Sequence, residues 1–377
     1  MKIAYCLNLL YLPGGVERIV TAKANWLARL GYDVTLIVYD HKGDCAFTLE
    51  PSVKIVDLNL GKLPTPRFPW RGPEVTAYRE KLTAELMREH YDIVISTGRW
   101  ELYFLPSIPD GSKKVLELHE TLHYNEIYRQ NERWLARMNG KLITWMRIRS
   151  ARKFDRVVML NSRDYEEMRC HTRKAVRITN FCSVQPHAFS TCENKQVIAV
   201  GRVYDRVKGF DYLLDAWALV IKKHPDWQLA IYGETRDNDF NKAIEEKRQQ
   251  LQLSADIFKG KSNDIMARYA ESSIMVCSSR YECFPLVPIE AAACGLPVVS
   301  FDCLNGPRDI IEDGKTGILV PQVGDVQGLA DAICRLIEDE PLRKQMGIAA
   351  RETPKRFDPE TIMQQWDQLF QQLLKEK

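Results

Sequence analysis

Short apolar runs alternate with longer amphipathic segments along the whole chain, and the alternation stops once near the middle and then starts again. The first series is "KIAYCL", a helix-period "VERIVTAKANWLARLG", "DVTLIVYD", "YDIVIST" and "KVLELHE". The second is "QVIAVGR", "FDYLLDAWALVIKKH", "WQLAIYGE", "ADIFKG", "SSIMVCSS" and "PVVSFD". Strand-helix alternation of this kind predicts a parallel sheet with helices on its faces, so each series predicts an α/β, doubly wound, Rossmann-like unit. Residues 180–195, "NFCSVQPHAFSTCENK", carry neither period and mark the join. At 377 residues the chain exceeds what one core usually holds. The expected division is a first domain over 1–187 and a second over 188–356, with a helix-period segment over about 357–377 that is a candidate to pack back on the first.

Composition excludes several classes. Hydrophobic residues make up 45%, charged residues 27%, and the net charge is +3, too balanced for a dedicated nucleic-acid binder. The ten cysteines never fall in C-x-x-C spacing, so reduced thiols in a cytosolic compartment and no zinc site are expected. The opening "MKIAYCLNLLYLPGG" imitates a signal peptide, but Glu17 and Arg18 follow where a cleavage site belongs. No apolar run reaches the ~18 residues of a membrane span. The proline-rich residues 61–74 read as a surface loop.

Doubly wound units bind ligands at the carboxyl ends of their strands, which directs attention to a few positions. Gly14 and Gly15, between the first strand and its helix, suit an anion held by backbone N–H groups and a helix N-terminus, or simply a tight turn. No G-x-G-x-x-G follows, which argues against a nicotinamide cofactor. Arg202 ends a strand, and Lys208 with Gly209 enters a helix, a placement that suits a diphosphate whose charge grows as it leaves; solvated surface charge is the alternative.

The stretch "RYECFPLVPIEAAACGLPVV" holds Glu282 and Glu290. Pro285 and Pro288 cannot both lie inside one regular helix, so Glu282 belongs to a loop; Pro288 at the first helical position then puts Glu290 in the first turn. There Glu290 either complements the helix dipole or, with Glu282, accepts from the vicinal hydroxyls of a ribose or hexose. His119, at the end of "KVLEL", stands at a strand end, where a structural role competes with a catalytic one. Residues 133–153 carry Arg137, Lys141, Arg149 and other basic residues that meet no acid, with Trp134, Leu135, Met138, Leu142, Trp145 and Met146 near helix spacing. An anionic membrane surface or lipid-phosphate acceptor fits this pattern, as does a packed helix with a solvated basic face that Gly140 weakens. Asp237 and Asp239 form a D-x-D triplet that can hold Mg²⁺ in some sugar transferases but here lies in a polar stretch that reads as an ordinary loop.

Together these residues resemble retaining glycosyltransferases of family 4, with the type B fold of two facing Rossmann-like domains and a cleft between them. The likeness spans nearly the whole chain and is strongest over 197–321, where the E-x(7)-E spacing of Glu282 and Glu290 is followed by "GLPVV" and "DGKTGILV". The resemblance implies that Glu282 lies beside the donor sugar and Glu290 holds the ribose. It likewise assigns Arg202 and Lys208, in a G-R-x(5)-K-G stretch, to the diphosphate, with Gly14 and Gly15 facing it. His119 corresponds to the family histidine that contacts the sugar, and Gly233 together with the backbone of Phe284, Pro285 and Leu286 completes the donor contacts. Cys283 and Pro285 stand where many members have glycines, so donor choice does not carry over.

"FDCLNGPRDII" resembles members that extend bacterial surface or lipid-linked glycans, which leans towards a UDP-sugar as donor and a glycan or lipid-linked acceptor. The implied reaction is transfer of a hexose or N-acetylhexosamine without metal or other cofactor, catalysed through His119, Glu282, Arg202 and Lys208. Arg137, Lys141, Trp145 and Arg149 are assigned to acceptor or membrane, in a cytoplasmic protein peripheral to the inner face of the plasma membrane. The rivals are a nucleotide-sugar epimerase or phosphorylase of the same fold, and a catalytically silent binding subunit.

Overall fold

Apolar runs become strands buried along nearly their whole length, the pattern expected of parallel sheets covered on both faces. The structure, a computed structural model, describes residues 1–63, 72–129 and 133–376. Its first sheet contains β1 (Lys2–Leu7), β2 (Asp33–Val38), β3 (Lys54–Asp57), β4 (Ile93–Ser96), β5 (Lys113–Leu118), β6 (Arg156–Met159) and β7 (Ala175–Arg177), in the order β3-β2-β1-β4-β5-β6-β7. The second contains β8 (Gln196–Val200), β9 (Gln228–Tyr232), β10 (Phe258–Gly260), β11 (Ile274–Cys277), β12 (Val298–Phe301) and β13 (Gly317–Val320), in the order β10-β9-β8-β11-β12-β13. Every pairing within them is parallel. The doubly wound α/β reading is therefore correct for both halves.

In each sheet the strand order reverses once, between β1 and β4 and between β8 and β11. Connections leave such a pair of strands in opposite directions, which opens a crevice at their carboxyl ends. Gly14 and Gly15 follow β1; Arg202 follows β8 and Glu282 follows β11. The fold thus delivers these residues to switch points of their own sheets.

One unit comprises Met1–Asn180 with Pro359–Lys377, and the other Phe181–Asp358, so residues 181–187, expected in the first domain, belong to the second unit. The helix Pro359–Lys375 seals the first unit with Trp366 and Phe370, both fully buried, while Gln371 Nε2 donates to Tyr32 Oη at 3.1 Å. In the second unit, Leu213, Leu214 and Trp217 of the helix Phe210–Lys223 share a core with Leu329, Ile333 and Leu336 of the helix Val326–Glu338. Residues 64–71 of the proline-rich stretch lie outside the described residues. Among the described residues, no helix is long and apolar enough to cross a membrane.

Candidate functional site

Lys208 and Glu282 come from sequence positions far apart and meet at the β8/β11 switch point: Lys208 Nζ donates to Glu282 Oε1 at 2.7 Å. Ser279 Oγ donates to the same oxygen at 2.7 Å, and among the described residues nothing donates to Oε2. Burial pushes the Lys208 ammonium down, but Glu282 more than offsets it, so the pKa stands above the ordinary lysine value and the cation persists. Arg202 is half exposed and turns to Asp205 Oδ2 at 2.6 Å, within the same loop.

Three features lock this loop. Gly209 has φ +64, and a Cβ there would sit 2.0 Å from the Ser278 carbonyl oxygen, so only glycine lets the two chains touch. Ser278 Oγ donates to the Lys208 carbonyl at 2.9 Å. Arg280 clamps Asp211 with both guanidinium nitrogens, at 2.8 and 2.6 Å, and donates to the Arg206 carbonyl at 2.7 Å. Arg280 was not singled out from the sequence, because a lone arginine after a strand reads as surface charge. Gly233 is required for a similar reason: a Cβ would fall 1.7 Å from the Gly201 carbonyl oxygen.

The helix Leu286–Ala293 corrects one expectation. Pro285 is its N-cap and Leu286 its first residue, so Pro288 sits third and buried Glu290 falls beyond the first turn. Proline is tolerated there because the first four N–H groups of a helix have no intrahelical acceptor. A simple dipole complement no longer accounts for Glu290. Phe284 is buried edge-on to Phe357, with centroids 5.3 Å apart, and Gly306 backs the loop, since a Cβ there would meet Pro285 Cδ at 2.6 Å. Leu286 is half-buried at the loop's end.

In the first unit, Gly14 caps the helix Gly15–Arg29. Glu17 Oε2 lies where a Gly14 Cβ would be, 2.0 Å away, whereas Gly15 faces open space. A carboxylate thus already stands at Gly14, while the space at Gly15 is open. His119 follows β5 with its side chain 5% exposed and Nε2 3.2 Å from Glu117 Oε1. Arg99 Nη1 and Glu120 Oε1, after β4 and β5, pair at 3.0 Å, a contact that no local motif announces.

The basic segment forms one helix, Trp134–Ala151. Gly140 does not break it; a Cβ there would lie 2.8 Å from the Asn125 carbonyl oxygen, so glycine is the point of close packing. Nor do all its cations lack acids: Arg147 is buried, donates to the Thr121 carbonyl and lies 3.8 Å from Glu120. The helix buries Gly140, Ile143, Thr144, Arg147 and Ala151 and exposes Trp134, Leu135, Met138, Leu142 and Trp145. Its apolar stripe thus points away from the core. Arg137, Lys141 and Arg149 are exposed too, with the Arg149 guanidinium 5.7 Å from the centre of the Trp145 ring.

The D-x-D triplet is a helix start: Asn238 Oδ1 accepts from the Asn241 N–H at 2.8 Å, and exposed Asp237 pairs with Lys242 at 3.0 Å. His224, Cys334 and Glu338 offer ligand atoms within 4.8 Å of one another, a grouping that C-x-x-C spacing cannot detect; His224 Nε2 already contacts Glu338 Oε1 at 2.9 Å.

Two family models match the chain in series: Glycosyltransferase Family 4 over residues 13–180 and Glycosyl transferases group 1 over 188–353. The chain belongs to these glycosyltransferases. A family member from Haemophilus influenzae, an uncharacterized glycosyltransferase, is 28% identical over 97% of this chain and 98% of its own length. Another, from Campylobacter jejuni, named as an α-1,4-N-acetyl-D-galactosaminyltransferase acting on a PP-undecaprenol-linked glycan, is 25% identical over 98% of each chain. Sucrose-phosphate synthase from Thermosynechococcus elongatus shares the fold with a TM-score of 0.82 at 22% identity, covering all of both chains. Anabaena HepE, solved with UDP and glucose, does so at 0.75 and 20%, covering 98% of this chain and 99% of its own. Both are glycosyltransferase-type folds of two parallel-sheet domains, the type B fold expected of this family member.

Proposed function

We propose that this glycosyltransferase moves a hexose or N-acetylhexosamine from a UDP-sugar to a glycan or lipid-linked acceptor, with retained configuration, in the assembly of a bacterial surface polysaccharide. The observation that carries the reading is the Lys208–Glu282 contact at the β8/β11 switch point, which sets a persistent cation beside a carboxylate with one oxygen open. The donor is held by the second unit: Lys208 and Arg202 take the diphosphate, Glu282 Oε2 accepts from a sugar hydroxyl, and Glu290 accepts from the ribose. The acceptor is held by the first unit, and His119 orients the sugar. Solved HepE carries UDP and glucose, and the Campylobacter relative extends a lipid-linked glycan, which supports both halves of the assignment.

In the proposed step, the bond from the anomeric carbon to the phosphate oxygen breaks as the acceptor oxygen attacks from the same face. The acceptor proton passes to the leaving phosphate, whose growing charge Lys208 and Arg202 stabilise. Glu282 is the one carboxylate assigned beside the sugar, so the two-carboxylate route of retaining hydrolases is not used. Product analysis tests the reading: a new glycosidic bond formed only when acceptor is present supports it, and conversion of UDP-sugar alone overturns it in favour of an epimerase. The step is proposed to need no metal, and activity abolished by EDTA would contradict that.

We further propose that the outer face of the helix Trp134–Ala151 rests on an anionic membrane surface, on the cytoplasmic side. Trp134 is 69% exposed and Trp145 57%, in company with Lys141 and Arg149, an arrangement suited to the interfacial layer and to anionic headgroups. Sedimentation with vesicles containing phosphatidylglycerol should show binding that weakens with salt and falls ~10-fold or more with Arg149→Glu plus Lys141→Glu, given ~1 kcal/mol per basic residue. Absence of binding to such vesicles at low salt would overturn it.

A further inference from the structure

Behind His119 lies an ion pair with no access to solvent. Lys23, from the helix Gly15–Arg29, and Glu117, from β5, are each 0% exposed, and Lys23 Nζ donates to Glu117 Oε1. The ammonium also lies 4.4 Å from the centre of the Trp366 ring, so the helix Pro359–Lys375 covers it. Removing two such ions from water is costly, and an apolar pair of similar volume commonly serves stability as well or better. Packing alone therefore does not explain the pair.

Its position does suggest a use. Glu117 and His119 are two residues apart at the end of β5, and in an extended chain that spacing puts both side chains on one face of the sheet. Leu116 and Leu118 face the opposite side, in the main apolar core. The carboxylate oxygen that receives Lys23 is the one 3.2 Å from His119 Nε2, within hydrogen-bond distance although not aligned for a bond. Burial pushes the Glu117 carboxyl up, but the adjoining Lys23 ammonium pulls it down, and it stands at about 2, so the acceptor remains ionised.

We propose that Glu117, its charge balanced by Lys23, is a positioning residue that fixes the tautomer and ring orientation of His119. An imidazole whose Nε2 carries its proton towards Glu117 has Nδ1 as its lone-pair nitrogen. His119 then meets a ligand hydroxyl as an acceptor and not as an acid. The inference rests on the reading of His119 as a sugar-contacting residue.

The test uses the full chain labelled with ¹⁵N-histidine, the His119 signals being identified by their loss in His119→Ala. The wild type should show the Nε2–H tautomer at neutral pH; the Nδ1–H tautomer or an imidazolium would overturn the proposal outright. Glu117→Leu paired with Lys23→Met removes both charges and the acceptor facing His119 Nε2 together, and so avoids an unpaired buried ion. That double variant should fold, lose the single tautomer, and lower kcat by about 10–100-fold, the usual cost of losing a partner that orients a histidine, with KM for the donor unchanged. A folded double variant with wild-type kcat and tautomer would show the pair to be structural only. Wild-type kcat in His119→Ala would instead remove the reading of His119 itself, which keeps the two failures distinct.

Discussion

Replacing Lys208 with alanine is expected to lower turnover by about 10²–10³-fold, the typical effect of deleting one preorganised stabiliser of developing charge. The loss has two sources. The ammonium proposed to meet the leaving diphosphate disappears, and Glu282, whose side chain is 12% exposed, is left with Ser279 as its donor. An uncompensated carboxylate beside the diphosphate then repels it. Because the lost interaction strengthens as the phosphate departs, kcat should fall more than KM for the donor rises. Lys208→Arg should recover part of the rate, since it restores the charge but not the compact geometry. Steady-state kinetics on the three proteins, with circular dichroism to show that each is folded, checks this; a kcat within threefold of wild type for Lys208→Ala would remove the residue from the chemistry.

Gly209→Ala should be a severely damaging single-methyl change near the site. Gly209 sits at φ +64, where a non-glycine residue costs roughly 1 kcal/mol, and its new Cβ would overlap the Ser278 carbonyl oxygen at 2.0 Å. Neither neighbour is a flexible side-chain tip, so the turn carrying Lys208 must part from the loop carrying Glu282. A destabilisation of about 3 kcal/mol or more is expected, together with weaker UDP binding. Gly260→Ala provides the control: its φ is +69, but nothing lies within 4 Å of the added Cβ, so only the backbone cost of about 1 kcal/mol should appear. Urea denaturation compares the two. Equal losses in both variants would show that the Ser278 contact does not constrain the turn.

The central strands were legible because they are short apolar runs bounded by polar residues or glycine, whereas edge strands such as Lys54–Asp57 and Ala175–Arg177, short and partly exposed, leave no such run. Glu282 was legible from its prolines, and the loop that carries it is where those prolines put it. The helical position of Glu290 was not, because proline is acceptable throughout a first turn, not only at its first residue. Arg280, which clamps Asp211, leaves no local signal at all, since its partner is far away in sequence. The same applies to Lys23 and Glu117, where one residue looks like a surface lysine and the other like a strand-end acid. Gly140 misled for a related reason: its use is a backbone neighbour that only the fold supplies. The helix Trp134–Ala151 shows the limit of periodicity itself. It has an apolar side against the core and another facing outward, and a pattern of spacing cannot say which is which.

The central claim is that the second unit grips a uridine nucleotide through Glu290 and the Lys208 turn. Calorimetric titration of UDP into the full chain tests it most directly, with Glu290→Ala and the surface variant Asp237→Ala alongside. Saturable binding is expected in the wild type and in Asp237→Ala, and about 10–100-fold weaker binding in folded Glu290→Ala, the loss appropriate to a hydrogen bond with a charged acceptor. No saturable binding of UDP by the wild type, or equal affinity in Glu290→Ala, would contradict it.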